Sequence, residues 1–145
     1  MNFRGKTAVV TGGTRGIGKA ICEILWERGG NVIVTGTSIN NRRFKKRQRL
    51  KYMQLDFLDP QSIDSFVKAI RKSKRIDVLI NNAGINIIES IDRLKRDNWD
   101  KVLQVNLTGP MVLTKTVSSV MKKNRRGRIL NISSIWGVIA KEKRI

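Results

Sequence analysis

One stretch constrains this chain more than any other: Thr11-Gly12-Gly13-Thr14-Arg15-Gly16-Ile17-Gly18. An apolar run, Thr7-Ala8-Val9-Val10, leads into it, and apolar residues at helical spacing (Ala20, Ile21, Ile24, Leu25) follow, so it reads as strand, tight turn, helix. Glycines at 12, 16 and 18 let the backbone turn sharply and approach a ligand closely. A helix that begins near residue 16 turns unpaired N–H groups and its positive dipole end toward an anion. Glycine spacing alone is a weak signal, but the flanking strand and helix supply the context that a phosphate-binding turn requires.

The remaining sequence repeats the alternation. Strand one spans 6–11 and helix one 16–28, which stops at Gly29-Gly30; a second strand is Asn31-Val32-Ile33-Val34-Thr35. Gly36-Thr37-Ser38 turns into a short basic helix or loop, and Tyr52-Met53-Gln54-Leu55 forms a third strand leading into Asp56. Asp59-Pro60 opens a helix with the stripe Ile63, Phe66, Val67, Ile70. Strand four is Asp77-Val78-Leu79-Ile80, ending in Asn81-Asn82-Ala83-Gly84; helices follow over 96–107 and 109–123, and Gly127 to Ile132 is strand five. Strands rich in Val, Ile and Leu between long helices predict an α/β fold: a doubly wound parallel sheet, Rossmann-like, in the order 3-2-1-4-5. Ligands of such sheets bind at the carboxyl ends of the strands. Gly12 to Gly18, Thr37, Asp56, Asn82 and Ser134 all fall at such ends.

Composition limits the alternatives. With 145 residues and 40% hydrophobic content the chain is expected to form one domain. No run is long and apolar enough to span a membrane, and no signal-peptide pattern opens the sequence, which predicts a cytoplasmic protein without a membrane partner. A lone cysteine, Cys22, predicts a packed side chain on helix one. No metal site is expected. The net charge of +19 suits polyanions in general, and much of it sits in 42–51 and 122–128. Neither segment has the interleaved aromatics of a base-stacking surface, so both read as solvated faces and a nucleic-acid partner is not expected.

Together, Thr11 to Gly18, Asp56, Asn81-Asn82-Ala83-Gly84, Asn106 in Val-Asn-Leu, and Asn131-Ile132-Ser133-Ser134 followed by Gly137 resemble the short-chain dehydrogenase/reductase family. The opening Met1-Asn2-Phe3-Arg4-Gly5-Lys6 and the general spacing are most similar to its 3-oxoacyl-acyl-carrier-protein reductases. The resemblance implies an oxidoreductase that exchanges hydride between a nicotinamide cofactor and a small carbonyl or alcohol substrate, here one carried on acyl carrier protein. It assigns Gly12, Thr14, Arg15, Gly16, Ile17 and Gly18 to the cofactor's pyrophosphate and ribose, and Thr37 to the site after strand two. Asp56 would accept from the adenine amino group, Phe57 would lie beside the ring, and Asn82, Ala83 and Gly84 would line the ribose side, while Asn81 braces strands. Ser134 would polarise the substrate oxygen, beside Ser133, and Asn106 would hold a water. Arg125 would grip the acidic carrier.

Charge selects the cofactor. NAD-specific sites place a carboxylate after strand two, and this chain has Thr35-Gly36-Thr37-Ser38 there, with Arg15, Arg42 and Arg43 to meet a 2′-phosphate, so NADP(H) is expected. The family's proton-donating Tyr lies about thirteen residues beyond the Ser, near position 147, and its Lys near 151, both past Ile145. Tyr52 reads as lying on the wrong side of the sheet to replace it. The expectation is therefore an N-terminal, C-terminally incomplete part of a longer reductase. It would be inactive alone, with strand five as an exposed edge, and an oligomer only at full length. A non-catalytic nucleotide-binding or polyanion-interaction module is the alternative.

Overall fold

The computed structural model describes residues 2–38, 47–135 and 138–139. Five strands form one parallel sheet in the order β3-β2-β1-β4-β5. They are β1 (Thr7–Val10), β2 (Asn31–Gly36), β3 (Leu50–Gln54), β4 (Val78–Asn81) and β5 (Arg128–Asn131). Helices α1 (Gly16–Glu27), α2 (Pro60–Arg71), α3 (Arg96–Leu103) and α4 (Gly109–Lys123) connect them, and a five-residue π-type turn, Gln104–Thr108, joins α3 to α4 without a break. The order expected from the sequence is therefore the observed one.

Successive strand residues point to opposite faces, and the two faces bury different sets. Val9 and Leu79 pack with Phe66, Ile70, Leu113 and Val117 under α2 and α4. Ala8, Val10, Val32, Val34 and Ile80 pack with Cys22 and Leu25 under α1. Each fully buried aliphatic or aromatic side chain contributes about 1.5–3 kcal/mol. Cys22 is buried as expected; burial, with the Glu23 charge adding, pushes its thiol up to about 12, so it packs and does not react.

Two helix ends follow from local chemistry. Asp59 caps α2 by accepting from the Gln61 N–H at 2.9 Å, with Pro60 in the first turn. Helix α1 closes at Gly29, whose φ of +90° lets its N–H donate to Trp26 O (2.9 Å) and that of Gly30 to Leu25 O (3.0 Å).

The third strand departs from the sequence reading, starting at Leu50 and not at Tyr52. Parallel pairing with β2 runs from Val32↔Leu50 to Gly36↔Gln54, and an edge strand tolerates the exposed Lys51 inside it. At the other edge β5 is largely exposed, with Leu130 beside Ile80 on the α1 face. No described helix is long and apolar enough to cross a membrane.

Candidate functional site

At the carboxyl ends of the strands lies a hollow of about 700 Å³ whose wall includes Gly12, Thr14, Arg15, Thr37, Asp56, Phe57, Ala83 and Gly84. Eight of the residues predicted from the sequence thus meet around one space. Gly36, Ser38 and Tyr52 complete its β2–β3 side. Arg42 and Arg43, expected near a 2′-phosphate, lie outside the described residues, as does Gly137.

The glycine turn is shaped by two kinds of constraint. Gly12 and Gly16 have φ of +62° and +54°, a region that strains other residues. Gly18 has ordinary dihedrals but no room: a Cβ there would overlap the Gly12 carbonyl and the Asn82 side chain. Close approach also explains Gly36, where a Cβ would stand 2.8 Å from Thr14 Cγ2.

Helix α1 opens differently from α2. Arg15 stands at its N-cap position with extended backbone, no side chain caps the first turn, and no acid lies in it. Its N–H groups and positive dipole end are thus offered to a ligand at the turn beside Gly12, Thr14 and Arg15, where α2 satisfies its own with Asp59. Ile17 is 67% exposed just inside this helix end.

Several residues have jobs that the sequence did not reveal. Thr11, immediately after β1, uses one buried hydroxyl to accept from the N–H groups of both Asn82 and Ala83, at 2.9 Å each. Asn82 returns the bond, its Nδ2 donating to Thr11 O (2.9 Å) and Gly12 O (3.2 Å). It therefore braces the glycine turn, next to Ala83 and Gly84, which line the hollow. Asn81 braces β4 as expected, donating to Asn131 Oδ1 (2.8 Å) and Thr114 Oγ1 (3.4 Å).

Phe57 reaches the wall but is only 4% exposed, and its ring lies against the bare backbone of Gly109. Its ring is thus fixed in the core at the same time as it forms part of the wall. Asp56 is held at both ends: its N–H donates to Ser62 Oγ and its Oδ1 accepts from the Leu58 N–H, both at 2.9 Å. Tyr52 is not remote from the site; it lies in the middle of β3, lines the hollow, and donates its hydroxyl to Ser38 O at 2.6 Å. Burial raises its pKa, the opposite of what a proton-donating tyrosine near neutral pH needs.

Of the two expected catalytic residues, neither lines the hollow. Asn106 sits in the π-type turn, and its side chain is engaged on both sides by one residue: Oδ1 accepts from the Ile85 N–H (2.9 Å) and Nδ2 donates to Ile85 O (2.8 Å). That amide clamps the loop leaving β4, so any water held here would have to use other atoms. Ser133 and Ser134 follow β5 and are exposed. The described residues contain no group of acids, histidines and cysteines that could hold a metal.

Comparison with known proteins agrees with this architecture. The pattern of the short chain dehydrogenase family matches residues 6–144. The chain is 41% identical over 143 residues to the 3-oxoacyl-[acyl-carrier-protein] reductase FabG of Vibrio cholerae, an alignment that covers 96% of this chain and 59% of that relative. It thus spans about three fifths of the length of such relatives. Among solved structures, a metagenomic short-chain oxidoreductase in complex with NADP superposes with a TM-score of 0.87 at 31% identity, covering 98% of this chain and 68% of that one. A 4-hydroxyisoleucine dehydrogenase complexed with NADH gives 0.83 at 31% identity, covering 96% and 60%. Sheet order, glycine turn and family pattern converge: the chain belongs to the short chain dehydrogenase family.

Proposed function

We propose that these residues form the NADP(H)-holding domain of a cytoplasmic oxidoreductase that reduces a carbonyl, with a 3-oxoacyl thioester as substrate. One observation carries the cofactor reading. The hollow receives an uncapped, acid-free helix N-terminus with Arg15 at its mouth, while the end of β2 offers Gly36, Thr37 and Ser38 and no carboxylate. A pyrophosphate suits the first feature and a 2′-phosphate the second. The space left by absent side chains at Gly12, where a Cβ would stand 3.0 Å from Ala83 Cα, fits a backbone built to be approached closely.

The bound nicotinamide would supply hydride exchange with the substrate carbon. The chain's own residues would do the rest of the binding. Gly12 to Gly18 hold the anion, Arg15 its 2′-phosphate, and Asp56 accepts from the adenine amino group with the carboxylate oxygen that Leu58 does not engage. Thr11 and Asn82 keep the glycine turn and the β4 end in register. Ser134 would polarise the substrate oxygen; Asn106 fixes the loop at Ile85 beside the hollow and acts as a positioning residue. Tyr52, engaged with Ser38 and raised in pKa, is not a proton donor, so these 145 residues alone are expected to bind cofactor without turnover. Arg125 stands at the opposite edge of the sheet from the hollow, and a carrier gripped there would present its thioester away from this chain's own cofactor.

Fluorescence titration with NADPH and NADH tests the reading. NADPH should bind more tightly, and Arg15→Ala should weaken it roughly tenfold to hundredfold, the worth of a charge-assisted phosphate contact, while changing NADH little. Tighter binding of NADH would overturn the assignment. Reduction of an acetoacetyl thioester by the 145-residue chain would refute its expected inactivity.

A further inference from the structure

The strands enter the sheet through segments 2–6, 28–30, 47–49, 72–77 and 122–128, which carry thirteen Lys and Arg against the single carboxylate of Asp77. In the sequence these clusters look scattered and solvated. The fold lines them up. Backbone ladders continue past the strand ends: Val32 N–H donates to Arg49 O (2.8 Å), Asn31 N–H to Lys6 O (2.9 Å), Asp77 N–H to Thr7 O (2.8 Å) and Arg128 N–H to Asp77 O (2.9 Å). Arg49, Lys6 and Arg128 therefore stand at the heads of β3, β1 and β5, every second strand of the sheet, and four strand spacings of about 4.8 Å make a row about 19 Å long.

Two features hold the row in place. In its middle the buried Asp77 carboxylate draws in Arg75 (2.7 Å), Arg126 (3.4 Å) and Lys6 (4.0 Å), all of which remain partly exposed. At the β2–β3 end Arg4, Arg28 and Arg49 ring an open hollow that they share with Glu27. Helices α2 and α4 run against the strands, so their basic last turns, Lys68 with Arg71 and Lys122 with Lys123, finish at the same edge.

We propose that this edge is a track for a nucleic-acid backbone, held by its phosphates and not read by sequence. A row of about 19 Å matches between five and six base-pair steps at about 3.4 Å each. A protein partner would look for an apolar centre, and among the described residues no exposed large hydrophobic belongs to the five segments. The missing aromatics speak against base stacking, which serves single strands, whereas a backbone track needs only cations in register. The track lies at the opposite edge from the cofactor hollow and is independent of it.

The test is fluorescence anisotropy of a labelled 20-base-pair DNA duplex with this chain over a range of KCl, alongside far-UV circular dichroism. Reversing three cations of the row (Arg28→Glu, Lys123→Glu, Arg128→Glu) should weaken binding at least tenfold and lower the slope of log K against log salt by about 2–3. Reversing three elsewhere (Lys95→Glu, Lys101→Glu, Lys115→Glu) changes net charge equally and should do far less. If the reversed row does not fold, the same three positions changed to Gln replace it, with the same direction expected. Equal losses from both sets, no binding near physiological salt, or displacement by poly-glutamate or acyl carrier protein as readily as by unlabelled duplex would each overturn the proposal.

Discussion

The two edges of the sheet are built by opposite means. Where the strands end, the hollow's wall has, among the described residues, one cation, Arg15, and one acid, Asp56, and it offers backbone: bare glycines, an uncapped helix start, and Thr11 and Asn82 holding both in shape. Where the strands begin, side chains dominate, and thirteen of them carry positive charge around one buried acid. The first edge is shaped by backbone and close packing, which leave little freedom to adapt. The second would be strong and indiscriminate, because long cationic side chains adapt.

Asp77 is where the contrast breaks most easily. It is 6% exposed; burial pushes its carboxyl up, but hydrogen bonds from Arg75 and the Thr7 N–H and the charges of Arg75 and Lys6 outweigh this and hold it below the usual carboxylate range. Asp77→Ala should destabilise the fold by about 3–5 kcal/mol in urea unfolding, since it strips the shared partner from three cations. Because the folded pKa is depressed, the contribution is complete above the unfolded value of about 3.9 and is lost as pH falls through the folded value. Asp77→Asn should therefore flatten the acid limb of stability below about pH 4. A loss under about 1 kcal/mol for Asp77→Ala would mean that the N-terminal edge is only a solvated face.

Two substitutions at the other edge are expected to be smaller in stability and larger in binding. Gly18→Ala drives a methyl into Gly12 O and Asn82 and should cost about 1–3 kcal/mol while abolishing measurable NADPH binding. Thr11→Val keeps the shape but leaves the Asn82 and Ala83 N–H groups without their acceptor, at about 1–2 kcal/mol, with a partial loss of NADPH affinity. If Gly18→Ala bound NADPH normally, the turn would not be the tight cradle described, and the edges would differ only in charge.

Much of the fold could be read from the sequence because its signals are local. Buried parallel strands are short apolar runs, Asp59-Pro60 announces a helix, and Gly29 ends one. What escaped depends on partners distant along the chain. Thr11 gave no sign that its hydroxyl would serve residues 71 and 72 positions away, nor Asn82 that its amide would brace the glycine turn. Phe57 is aromatic beside a binding site, yet the absence of a side chain at Gly109 draws it into the core. Strand three was misplaced because a basic run resembles a loop, and only pairing with β2 makes it a strand. The row of cations is the extreme case: no single segment contains it, and it exists only once strand order and helix direction are known.

The π-type turn at Gln104–Thr108 has a consequence for what lengths of chain this region can accept. Val105 in that turn is buried in the core, while the next residue, Asn106, reaches Ile85 with both ends of its amide. Deleting one residue would let the segment rewind as a regular α-helix, and every side chain before the deletion would swing by about 100° relative to α4. Either Val105 would leave the core or Asn106 would release the loop. Substitutions can be absorbed here one by one, but a missing codon cannot.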